Sequence, residues 1–173
     1  MGYGFCFANN PCDEVAVRMG RPPDPVHQRL KAEYPAHFTS SEWDPSEATF
    51  YLRGRKHYSG GYESDVPCFR GIPPTMVAVV TAIVRCVSEQ QADPDEATES
   101  SELKAAVAEQ LLVPLHAKSN AIVSSEPSQE PRNRRQEYAS FYRAGQLEIL
   151  TDIVNELEAY LDSMGLQDEQ VSS

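Results

Sequence analysis

The sequence has little of what marks a membrane-spanning, exported or metal-holding protein. No apolar run reaches the roughly 18 residues that a membrane span needs. The longest, Met76 to Val87, is interrupted by Thr81 and Arg85 and reads as a buried core element. The opening Met1-Gly2-Tyr3-Gly4-Phe5 carries neither a basic region nor a signal-peptide core, so an intracellular location is expected, with cytoplasm and nucleus not distinguished. Cys6, Cys12, Cys68 and Cys86 make no Cys-x-x-Cys pair, and His27, His37, His57 and His116 are scattered. That spacing argues against a zinc site and a disulfide framework, and buried thiols are expected instead. No phosphate-cradling loop is complete, because Tyr58-Ser59-Gly60-Gly61-Tyr62 lacks the lysine and the strand-to-helix setting. There is no nucleophile elbow.

Positive charge is also scarce. Fifteen Lys and Arg stand against 26 Asp and Glu, for a net charge of −11 over 173 residues. The imbalance lies in one half. Residues 1–72 hold eight bases and nine acids, and residues 73–173 hold seven and seventeen. Such an acidic half repels phosphate backbones, which disfavours a nucleic-acid partner. The densest acidic run is Glu89, Asp93, Asp95, Glu96, Glu99 and Glu102. It reads first as a solvated loop, and second as a surface that could meet a basic protein.

What is present is helical patterning with a few short strands. Tyr3, Phe5 and Phe7 alternate with small residues, a turn follows through Asn9-Asn10-Pro11, and Val15-Ala16-Val17 resumes a β-like run. Asp24-Pro25 opens a helix striped by Val26, Leu30 and Tyr34. A second cap-like signal, Asp44-Pro45-Ser46-Glu47, leads into Ala48-Thr49-Phe50-Tyr51-Leu52, and Arg53 to Gly71 reads as an ordered loop. Pro73-Pro74 opens the apolar helix. Leu103, Val107 and Leu111 share the face of a further helix, which Pro114 is expected to end or kink. Ser119 to Pro131 reads as a polar linker. The clearest element is a long amphipathic helix from Tyr138, with Phe141, Tyr142, Ile149, Ile153, Leu157, Leu161 and Met164 on one broad face and Gly165 as its cap. Arg132-Asn133-Arg134-Arg135 is a small basic cluster at its start.

Two stretches carry a resemblance. Gly2-Tyr3-Gly4-Phe5-Cys6, followed by Asn9-Asn10-Pro11-Cys12-Asp13-Glu14-Val15-Ala16-Val17-Arg18, resembles the segment that closes the SET domain in protein lysine methyltransferases of the Rubisco large-subunit methyltransferase type. Tyr142-Arg143-Ala144-Gly145-Gln146-Leu147-Glu148-Ile149-Leu150 is similar to a late helix of that family's carboxy-terminal substrate-binding lobe. The resemblance implies a mainly α fold: a helical substrate-binding lobe, with short amino-terminal strands left from a SET domain. It implies residues 1–19 as that remnant, 20–166 as the lobe and 167–173 as a disordered tail. Strands in residues 3–17 would then lack their usual partners and expose edges.

The same resemblance places Tyr3 on the family's active-site tyrosine. There a phenol oxygen orients the lone pair of a neutral lysine amine and holds the transferred methyl by weak CH···O contacts. The family takes its methyl from S-adenosylmethionine through an Asn-His motif upstream of the Tyr-Gly-Phe. No Asn-His dipeptide occurs in this sequence. The chain alone is therefore expected to bind no cofactor and to be inactive as an enzyme, with Met1 internal to a longer reading frame. The implied partner is a protein substrate, lysine-rich if the acidic half recognises it, with Tyr51, Tyr58 and Tyr62 as an alternative contact surface. A stand-alone helical interaction module without enzymatic activity is the competing reading.

Overall fold

The computed structural model describes residues 14–19, 24–33, 43–44, 49–53, 66–88, 101–125, 131 and 133–171. The described elements are mainly helical, as expected. In chain order they are β1 (Glu14–Arg18), α1 (Asp24–Glu33), β2 (Trp43–Asp44), β3 (Thr49–Arg53), a 3-10 turn (Pro67–Phe69), α2 (Pro74–Ser88), α3 (Ser101–Ser124) and α4 (Arg134–Val171).

The strands form a small antiparallel sheet in the order β1-β3-β2. Val15 lies opposite Leu52 and Val17 opposite Phe50. In a strand alternate residues share a face, so these four side chains stack on one side, and all are essentially buried. The pairing changes two expectations. Residues 49–52 do not form the helix that the cap-like signal suggested. Five residues are too few for a helical period, and Thr49, Phe50 and Tyr51 are good strand formers. The 14–18 strand also gains a partner in β3, while among the described residues it remains an edge strand of the sheet.

Gly71 links the 3-10 turn to α2 with φ of 82°, a left-handed conformation that glycine adopts without steric cost. α2 begins at Pro74, whose fixed φ suits a first helical position. It buries Thr75, Met76, Val79, Val80 and Ala82. The Thr81 hydroxyl donates to the Val77 carbonyl at 2.8 Å, which settles a polar group on a half-buried face.

α3 runs through Pro114 to Ser124, so the proline does not end it and the helix covers part of the expected linker. Proline removes one backbone N–H, but Leu111 and Leu115 are fully buried on either side and hold the helix across the gap. α4 starts one turn earlier than its apolar stripe. The Asn133 side chain accepts from the Gln136 backbone N–H at 3.0 Å, a cap that the basic cluster around it concealed. The helix also passes through Gly165, the expected cap, and reaches Val171.

One hydrophobic cluster joins the sheet to the helices. It runs from Val15, Val17, Phe50 and Leu52 through Phe69, Ile72 and Met76 to Leu111, Leu115, Leu150, Ile153 and Leu157. α3 packs along α4, α2 along α3, and β1 rests on both α3 and α4.

Candidate functional site

Tyr3 lies outside the described residues, as does everything before Glu14. What the structure places is the strand that ends that block. The Gln146 side chain, 7% exposed, donates through Nε2 to the Glu14 carbonyl oxygen at 3.4 Å. The Glu14 carboxylate meets Arg53 Nε at 3.5 Å across the sheet. Glu14, in the first of the two resembling stretches, and Gln146, in the second, thus meet in space.

Beside that contact α3 and α4 leave a cleft of about 380 Å³. α3 contributes Lys118, Ala121, Ile122 and Ser125, and α4 contributes Ala139, Tyr142, Arg143 and Gln146. Both sets follow the i, i+3, i+4, i+7 spacing of one helix face. Each therefore continues the stripe that elsewhere packs the core. Here, apart from Ile122 and Tyr142, the residues are small, polar or charged, and the helices do not close on each other. Ile122 and Gln146 are buried at 7% exposure, while Tyr142 is 42% exposed. Tyr142 was expected within the buried face and instead lines the cleft. The two charged side chains lining the cleft, Lys118 and Arg143, are both cations.

Other reactive groups are not gathered into a site. Cys68 is buried and free, and desolvation pushes its thiol above the ordinary value of 9.0, a shift moderated by a backbone hydrogen bond and by Lys104. A thiol held protonated in this way is a poor nucleophile. Burial, with the nearby Cys68, also raises the Tyr160 phenol. His116 meets Glu158 at 3.3 Å, but both side chains are about half exposed, so the pair contributes little. Among the described residues no cluster of His, Cys, Asp and Glu could hold a metal ion. No helix among the described residues is long and apolar enough to cross a membrane. Of the acidic run only Glu102 is described, exposed in the first turn of α3, and of the three tyrosines proposed as a contact surface only Tyr51, half-buried on β3.

Lys118, Arg143 and Gln146 were not singled out as site residues from the sequence. Their signal was present: polar residues sit where the helical period asks for apolar ones.

The chain is similar to the ribosomal lysine N-methyltransferase set10 of Schizosaccharomyces pombe (strain 972), with 28% identity over 167 residues. The match covers 94% of this chain and 28% of that protein, so the chain spans less than a third of its relative's length. The likeness supports a relationship to SET-type lysine methyltransferases. No protein-family profile matches the chain, and no solved structure does.

Proposed function

We propose that this chain is the carboxy-terminal part of a SET-type protein lysine methyltransferase of the Rubisco large-subunit methyltransferase kind. It supplies the end of the SET domain, with Tyr3 at the reacting lysine, and a helical lobe that holds the protein substrate. The observation that carries this reading is similarity to a lysine methyltransferase along 94% of the chain. The meeting of Glu14 and Gln146 supports it, since it sets the strand following the Tyr3 segment directly on the lobe.

S-adenosylmethionine does not fit the described cleft. A sulfonium centre is cationic, and the charged groups there, Lys118 and Arg143, would repel it. The sequence holds no Asn-His dipeptide, so in this reading the methyl donor is bound by other parts of the complete enzyme. Within the complete enzyme the Tyr3 hydroxyl orients the amine of the substrate lysine, and the lobe limits which protein reaches it.

Calorimetry of the chain with S-adenosylmethionine is expected to show no saturable heat. Fusing an upstream SET segment in frame is expected to restore labelled-methyl transfer to protein lysines, with Tyr3→Phe lowering the turnover rate while leaving cofactor affinity unchanged. A fusion that binds the cofactor but methylates no protein would refute the reading in favour of an interaction module.

A further inference from the structure

We propose that the α3–α4 cleft docks a short acidic, aliphatic segment of a partner protein. The argument starts from charge. After residue 72 the chain has seven bases, and five of them, Lys118, Arg132, Arg134, Arg135 and Arg143, fall between positions 118 and 143 with only three acids. The rest of that half holds two bases and fourteen acids. Positive charge is thus collected in one stretch of an otherwise acidic sequence, and two of these bases, Lys118 and Arg143, line the cleft.

Four of them stand where the fold does not favour a cation. Arg134 and Arg135 stand in the first turn of α4, where the helix dipole disfavours positive charge. Lys118 and Arg143 occupy the inward stripe, where an aliphatic side chain would add packing. Between them the cleft offers an apolar wall of Ala121, Ile122 and Ala139 beside the exposed ring of Tyr142. Cations flanking an apolar wall complement a peptide that alternates carboxylates with aliphatic side chains. The space, about 380 Å³, accommodates a few side chains. A nucleic acid fits worse. Its unbroken line of phosphates would extend beyond the basic patch onto a chain of net charge −11. The cleft needs no methyltransferase chemistry for this role.

The test uses the full chain and a fluorescein-labelled peptide of alternating glutamate and leucine, titrated by anisotropy at low and high salt. Saturable binding that weakens with salt is expected. Lys118→Glu with Arg143→Glu should weaken it about tenfold or more, as reversal of two charge contacts implies. Tyr142→Ala should weaken it severalfold. Lys31→Glu, an exposed base on α1, should leave it unchanged. Circular dichroism on each variant checks that the helices persist. Equal binding of a glutamate–serine peptide would remove the apolar half of the proposal. Equal or tighter binding of single-stranded RNA would replace the partner class. More than tenfold tightening in Glu126→Gln with Glu130→Gln would show that the segment joining α3 to α4 is itself the occupant. Each of these three results, or no binding at all, overturns the proposal.

Discussion

Two stretches of the same helix pair behave in opposite ways. Along Val107, Leu111 and Leu115 of α3 and Leu150, Ile153 and Leu157 of α4, every side chain is 2% exposed or less. A few residues further on, the same faces carry Lys118, Ala121 and Ser125 against Ala139, Arg143 and Gln146, and a cleft opens. Helical periodicity is unbroken across the change, so backbone geometry does not cause it. Side-chain chemistry does. Where the stripe is aliphatic the helices close and hold the fold, and where it is small, polar or cationic they leave a surface that something else can fill.

The contrast predicts unequal costs for truncation. Leu115→Ala and Leu150→Ala should each cost about 2–5 kcal/mol in urea unfolding, since each removes a fully buried side chain and leaves a void. Lys118→Ala should stay within about 0.5 kcal/mol. Similar losses at all three positions would erase the distinction.

Gln146 stands at the border, and its effect should be intermediate. Gln146→Ala removes the donor to the Glu14 carbonyl and should cost about 0.5–1.5 kcal/mol. Hydrogen exchange should report the loss as faster exchange in β1, with α2 unaffected. Uniform acceleration would mean that the bond does not specifically anchor the strand.

A further substitution examines the far end of α4. A Cβ placed at Gly165 would meet nothing within 4 Å, and the residue lies inside the helix. Gly165→Ala should therefore stabilise the protein by about 0.5–1 kcal/mol. Destabilisation would restore Gly165 as a left-handed cap.

The smallest expected effect is a pH dependence at the closed end. The Cys68 thiol and the Tyr160 phenol are both neutral when protonated, and burial raises both above their ordinary values of 9.0 and 10.0. The folded state then binds these protons more tightly than the unfolded state. Their contribution is complete below about pH 9 and is lost as pH rises through the raised values. Cys68→Ala should flatten the fall in thermal midpoint above pH 9 relative to the unaltered chain. An unchanged slope would remove Cys68 as a contributor.

Much of this fold was legible in the sequence, and the failures share a cause. α1, α2, α4 and the strand around Val15 and Val17 follow from apolar period and proline position. β3 was missed because a cap-like Asp44-Pro45-Ser46-Glu47 outweighed the strand preference of the five residues after it. The continuation of α3 past Pro114 was missed because a proline's local cost is visible in sequence, whereas the burial of Leu111 and Leu115 that offsets it is not. Gly165 repeats that lesson, a local stop signal overridden along a long helix. The cleft was hidden differently. Lys118 and Arg143 look like ordinary surface charges until α3 and α4 are known to bring their stripes together. Tyr3, read from family likeness, lies beyond the residues that the structure describes.

The most direct measurement of the division between closed core and open cleft is to close the cleft. Lys118→Leu combined with Arg143→Leu continues the aliphatic stripe of both helices. Urea unfolding and anisotropy with the glutamate–leucine peptide should be recorded on the same preparation. The account predicts a gain of about 0.5–2 kcal/mol in stability, as expected when a site kept open for a ligand is packed shut, together with loss of peptide binding. A variant that is less stable, or that binds the peptide as before, would contradict it.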